Sequence, residues 1–262
     1  MSIEEKYRIM TYNVRNNFDP PPDSWEERKK LVGKILDREM PDMLATQECS
    51  YRLVCDLHAI MQGYDWIGMG REGGSKDEFV AIFYKKDRFE VKEYNHFWLS
   101  ATPNVIGSVT WGHVIPRMAT WIRFRDRKTN RQFYHINTHL DHQSSEAREK
   151  SARLIRDKAT TFDTELPIIL TGDFNTGTDS GPYKLLVNEG GFTDTWNTAE
   201  RNVNKALGTF NNFKDGTGGK VRIDWILIRG KASVKMIKIA DDTYDGQFPS
   251  DHFPVIVDLI LQ

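Results

Sequence analysis

Residues 166–175 read Leu-Pro-Ile-Ile-Leu-Thr-Gly-Asp-Phe-Asn. The apolar run Leu166 to Leu170 is too short for a helix and predicts a buried strand. Asp173 and Asn175 stand at its end. The same arrangement recurs in both directions along the chain. Arg8 to Val14 predicts a first strand carrying Asn13, and Met43 to Thr46 a second running into Gln47-Glu48. Phe133 to Thr138 delivers His139 and Asp141, and Arg222 to Ile228 carries Asp224. Asp251-His252 precedes a last strand, Phe253 to Leu259.

Between these strands the period changes. Trp25 to Arg38 has Leu31, Val32, Ile35 and Leu36 at helical spacing, and Pro41 stops it. Ser50 is placed to cap a second helix running to about Met61, and Ser144 to Thr161 predicts a polar amphipathic third. Tyr64 to Gly68, Phe79 to Tyr84 and Phe89 to Trp98 alternate as strands, with a Gly-rich turn from Gly70 to Lys76. Thr120 to Arg125 and Phe133 to Thr138 form a hairpin around Lys128-Thr129-Asn130, and Val234 to Ile239 is a later strand. Leu99 to Pro116 is a long irregular stretch of the kind that binds ligands. Strands alternating with helices predict an α/β or α+β sandwich with a mixed-sheet core, in one domain over residues 1–262.

The 262 residues are 39% hydrophobic and 28% charged, which excludes a disordered chain. A formal net charge of −1 argues against tight duplex binding, which needs a basic excess. Cys49 and Cys55 make no disulfide framework and are read as reduced thiols. No apolar segment follows Met1 to Lys6, and none approaches the roughly 20 residues of a membrane span. A cytoplasmic protein without membrane contact or an obligate protein partner is the expectation.

If the strand ends share one rim, they bring carboxylates, amides and histidines together, the donor set of a hydrolytic site built on a hard cation. Alone, Asn13 reads as a turn residue and His139 as a structural histidine. Together the polar strand ends outweigh that. His58, His96 and His135 belong to surface or core faces, and His113, Asp141 and His142 are intermediate. Arg117 reads equally as a phosphate contact, a partner for a site carboxylate or a solvated charge. No Gly-x-Ser-x-Gly elbow or Walker loop offers a different chemistry.

Tyr12-Asn13, Gln47-Glu48, Thr138-His139-Leu140, Gly172-Asp173-Phe174-Asn175, Ile223-Asp224-Trp225 and Ser250-Asp251-His252 stand in one order from Asn13 to His252. Each is weak alone, but this series resembles the DNase I-like endonuclease/exonuclease/phosphatase family. The resemblance implies a four-layer sandwich of two packed mixed sheets flanked by helices. It implies Mg²⁺, with Mn²⁺ as an alternative, held by Glu48 with Asn13 and Asp251. It implies His252 as general base oriented by Asp224, Asp173 orienting the water, and Asn175 and His139 donating to phosphoryl oxygens.

Thr176-Gly177 after Asn175 departs from inositol 5-phosphatases, and Thr138-His139 departs from abasic-site endonucleases. Ser180, Tyr183 and Thr209-Phe210 are similar to the deadenylase/nocturnin branch, on a chain as compact as bacterial members. The leading expectation is an exonuclease-like phosphodiesterase on single-stranded RNA, DNA or a nucleotide, with Phe97, Trp98 and Trp111 read either as base-stacking faces or as core. A phosphatase or phosphodiesterase for a small sugar phosphate or lipid head group is the alternative, and a catalytically inactive binding module the third.

Overall fold

The computed structural model describes residues 5–262. Two sheets carry it. The larger runs Asn202–Val203, Ala232–Ile239, Val255–Leu261, Tyr7–Asn13, Met43–Gln47, Ile82–Lys85 and Tyr64–Ile67 from edge to edge. The smaller runs Thr193–Asp194, Asp224–Arg229, Ile168–Asp173, Gln132–His139, Met118–Asp126 and Phe89–Trp98. Each centres on one parallel pair joined through a helix. Tyr7–Asn13 lies beside Met43–Gln47 after helix Trp25–Glu39, and Gln132–His139 beside Ile168–Asp173 after helix Ser145–Thr160. The remaining large pairings are antiparallel.

Alternation along each strand assigns the layers. Ile9, Met43, Val255 and Val257 of one sheet meet Ile122, Phe133, Ile169 and Ile226 of the other in the central core. The opposite faces, with Met10, Leu44 and Ile256, pack on Val32, Ile35, Leu53 and Leu57 of the first two helices. Ile136, Ile168 and Leu170 pack on Ala152, Ile155 and Ala159 of the third. The result is the four-layer α/β sandwich of two packed mixed sheets that the resemblance implies.

Four local expectations change. Phe79 to Tyr84 is not one strand: Glu78–Phe79 pairs with Cys49–Ser50, and only Ile82–Lys85 joins the large sheet. Asn137 holds the break open by donating to Thr46 O and Ala81 O at 2.9 and 3.0 Å. Ser50 precedes helix Tyr51–Ile60 but its side chain makes no cap bond, whereas Ser144 accepts from Ala147 N. The last strand starts at Val255, because Pro254 has no N–H for the ladder. Residues 176–221, left without elements by the sequence, hold short helices at Gly181–Lys184 and Thr195–Thr198 around a π-helical turn, Leu185–Glu189. Both cysteines are free thiols. Among the described residues no helix is long and apolar enough to cross a membrane.

Candidate active site

The inward faces grade from apolar to polar toward one rim. On Tyr7–Asn13 the inward positions are Tyr7, Ile9, Thr11 and Asn13; on Ile168–Asp173 they are Ile169, Thr171 and Asp173. Asn137 and Gln47 bridge the sheets just below the rim, Gln47 Nε2 donating to Asn137 Oδ1 at 2.7 Å. Above them Asn13 meets Asp173, with Nδ2 to Oδ2 at 3.0 Å. Gly172 has a steric role here. A Cβ at that position would lie 2.3 Å from Thr138 O on the neighbouring strand, so only glycine lets Asp173 sit level with His139.

All eight predicted residues gather at this rim. His252 Nδ1 lies 2.9 Å from Asp224 Oδ2, and its Nε2 faces Asp173 Oδ2 at 3.7 Å and Asn13 Nδ2 at 3.5 Å. His139 Nε2 is 3.5 Å from Asp173 Oδ2. Asp173 Oδ1 accepts from Asn175 N, and Asn175 Nδ2 donates one hydrogen to Leu140 O. Glu48, at φ 59°, turns out of the strand end so that Oε1 accepts from Asn13 Nδ2 at 3.0 Å. Arg15 Nη1 stands 3.7 Å from Glu48 and 3.6 Å from Asp251, tying those two carboxylates together.

The electrostatics follow from crowding charge where water is excluded. Burial and the Asp224 charge push the Asp173 carboxyl up to about 7, against the opposing pull of His252. Burial raises Asp251 as well. Burial alone would depress His252, yet Asp224, Asp173 and Asp251 hold it well above an ordinary imidazole. His139 goes the other way: burial, Arg117 and Arg71 keep it well below, so it stays neutral.

Three buried carboxylates, Asp173, Asp224 and Asp251, and half-buried Glu48 thus share one rim, and Asp224 Oδ1 is buried with no donor among the described residues. Ligand atoms of Asp173, Asp224 and His252 lie within 4.8 Å of one another. An oxygen-rich, anionic donor set of this kind suits a hard divalent ion. Glu48 and Asp251, the ligands the resemblance implies, stand outside that group of three, and Arg15 reaches both. Asn13 turns its amide nitrogen to the carboxylates while its Oδ1 accepts from Arg15 N, so ligation by Asn13 needs that amide turned over.

Several groups at the site were not singled out from sequence. Arg15, Asn16, Arg71, Glu78, Asn212 and Phe213 line the same cavity, as does Phe210, which the sequence offered as a branch marker and not as a site residue. Asn16 Nδ2 bridges Glu48 and Glu78. Buried Arg28 donates to the carbonyls of Val14, Arg15, Asn16, Asp23 and Pro249, strapping the loop after the first strand to the segment that leads into Asp251. Arg117 is no solvated charge: it is 5% exposed and lines the cavity. Phe97 and Trp98 are core, 4% and 3% exposed, and offer no base-stacking face, whereas Trp111 is half-buried against the cluster that holds Phe97. A larger cavity, about 700 Å³, lies between the ends of the first two helices, but no histidine lines it and it is remote from this chemistry.

This fold and this rim define a phosphoesterase, a hydrolase of phosphate-ester bonds. The Endonuclease/Exonuclease/phosphatase family model matches residues 10–252, and the chain belongs to that family, whose members typically depend on a metal. The chain is 35% identical to a mannosyl-6-phosphatase of Bacteroides thetaiotaomicron, with TM-score 0.93 over 97% of this chain and 100% of that one. It is 34% identical to another family protein of the same organism, with TM-score 0.94 and 98% of each chain covered. The human Nocturnin catalytic domain, 18% identical with TM-score 0.74 over 98% of this chain and 94% of that one, shares the fold.

Proposed function

We propose that the protein is a metal-assisted phosphomonoesterase acting on a small sugar phosphate. One observation carries the reading. The catalytic rim opens into a cavity of about 520 Å³ whose lining also includes Asp19, Asp23, Asn212, Phe210 and Phe213. Carboxylates and an amide read hydroxyl groups, and an aromatic face packs on a sugar ring. The cavity is of small-molecule size. The full-length similarity to a mannosyl-6-phosphatase supports the same choice. The single-stranded nucleic-acid reading rests on the branch features Ser180, Tyr183 and Thr209-Phe210, and it loses the support of Phe97 and Trp98, which lie in the core.

The residues divide the work. In its neutral form, with Nδ1 donating to Asp224, His252 presents a bare Nε2 that takes the proton of the attacking water, and a cation on the neighbouring carboxylates would weaken the charges that otherwise keep the ring protonated. Asp173 orients that water from the opposite side. Neutral His139 and the second amide hydrogen of Asn175 donate to phosphoryl oxygens as negative charge builds there. The ester oxygen leaves toward the open end of the cavity, where solvent protonates it. A divalent ion held by Glu48 and Asp251, Mg²⁺ first and Mn²⁺ as substitute, would offset the carboxylate surplus and polarise the phosphoryl group.

The test is a substrate panel with Mg²⁺ or Mn²⁺: hexose phosphates, inositol phosphates, an aryl diester, and single-stranded RNA and DNA. Hexose phosphate turnover, lost on chelation and in His252→Ala, is expected. Preferential cleavage of the oligonucleotides would overturn the sugar reading, and ligand binding without any turnover would mark an inactive binding module.

A further inference from the structure

Two guanidinium groups stand where the reaction as described does not use them. Arg117 is 5% exposed, and its neighbours in the cavity are His139, Asp173 and Asn175. Its side chain is poorly paired for a buried cation. Nη2 lies 2.9 Å from His142 Nδ1, Nε is 3.7 Å from Asp141 Oδ2 and makes no hydrogen bond, and Nη1 has no protein acceptor. Arg71, beside it in the adjoining recess, spends Nη1 on Glu78 and Nη2 on Asp77 and leaves Nε buried without a partner. Arg71 is neutralised by its two carboxylates, but a buried Arg117 whose one carboxylate partner stands off at 3.7 Å is under-compensated. Asp141 is a divided partner, since its Oδ1 already accepts from Gln143 N and Ser144 N at the start of the third helix.

A phosphate monoester carries three non-ester oxygens and up to two charges; a diester carries two such oxygens and one charge. His139 and Asn175 serve two oxygens. We infer that Arg117, backed by the charge of Arg71, receives the third, and that this contact makes the site favour monoesters over diesters. A second ester substituent would be driven against the guanidinium and leave it unpaired. The inference rests on the monoesterase reading and assigns the residue that enforces it. A guanidinium suits the task because it offers fixed, planar donors to phosphate oxygens.

The experiment compares Arg117→Met and Arg117→Lys with the parent on p-nitrophenyl phosphate and bis(p-nitrophenyl) phosphate, together with calorimetric binding of inorganic phosphate. Loss of a charge-assisted hydrogen bond lowers monoester kcat/KM by about 10–100-fold in Arg117→Met. The monoester-to-diester ratio falls by at least tenfold on the same grounds, phosphate affinity drops in parallel, and Arg117→Lys recovers part of each. Equal losses on both esters, or unchanged phosphate binding in a folded Arg117→Met, would overturn the assignment and leave Arg117 as a strut for Asp141. A parent enzyme that prefers the diester would instead overturn the underlying monoesterase reading. If the parent cleaves neither ester, the phosphate-binding comparison still decides.

Discussion

Replacing Asp224 by Asn keeps the shape of the His252 partner and removes its charge. Asp224 and His252 are both nearly buried, 1% and 4% exposed, and joined at 2.9 Å. Once His252 has taken the proton from water it is an imidazolium. At a charge separation of roughly 4 Å and an effective dielectric of about 20, the carboxylate stabilises it by ~4 kcal/mol. Losing that stabilisation lowers kcat by about 10³-fold, inside the range expected of general-base catalysis. KM should barely move, because the pair acts on the proton rather than on bound substrate. Stability should fall, since Asn leaves buried His252 without its charged partner, and relief of the repulsion on buried Asp173 offsets only part of that. Steady-state kinetics on the preferred ester and a thermal melt of the same sample make the measurement. A kcat within tenfold of the parent would refute the assignment of His252 as a base oriented by Asp224.

Gly172→Ala should lose about 3 kcal/mol, the upper end of overpacking, because its Cβ meets the Thr138 backbone; in a chain this size the melting temperature falls by roughly 10 °C. Gly216→Ala, where an added Cβ meets nothing within 4 Å, is the control and should melt like the parent. Burial pushes His135 down to about 3, so below the unfolded-state value near 6.5 the unfolded chain binds a proton that the folded one refuses. Stability therefore falls with pH by ~1.4 kcal/mol per unit, or ~2 kcal/mol between neutrality and pH 5, and urea melts of His135→Gln should show that slope reduced by one proton. Phe210→Ala should raise KM for a sugar phosphate by roughly tenfold through loss of an aromatic contact, with a smaller effect on inorganic phosphate; an equal effect on both would place the ring outside the sugar subsite.

The eight site residues were legible because period-2 alternation and strand ends are written locally. Thr11, Asn13, Thr171 and Asp173 follow their apolar neighbours at fixed spacing, and the ordered motifs supplied the pairing of distant strands. What escaped has no local signature. Arg28 sits on a helix face among other charges, and only the arrival of five loop carbonyls distinguishes it from Lys29 or Lys30. Arg71 lies in a Gly-rich turn, and Phe210 in a stretch without periodicity. Phe97 and Trp98 stay open between stacking and core for the opposite reason: they adjoin an irregular loop in sequence, and only strand pairing with Ala119 and Met118 carries them into the core.

The two helix-bridged parallel pairs are one motif built twice. Val255–Leu261 and Ile82–Lys85 flank the first pair antiparallel, as Met118–Asp126 and Asp224–Arg229 flank the second. Asn13 and His139 end the first strands of the two copies, and Glu48 and Asp173 stand at the ends of the second. The copies differ in how they close. One is complete within residues 118–229, whereas the other needs a strand from the far end of the chain, Tyr7 pairing with Leu259. Long loops close late because their entropy must be met first. Folding should therefore be asymmetric in time, with amides of the six-stranded sheet protected from exchange before those of Tyr7–Asn13. The substrate rim, which takes groups from both copies, would then be the last part of the molecule to exist.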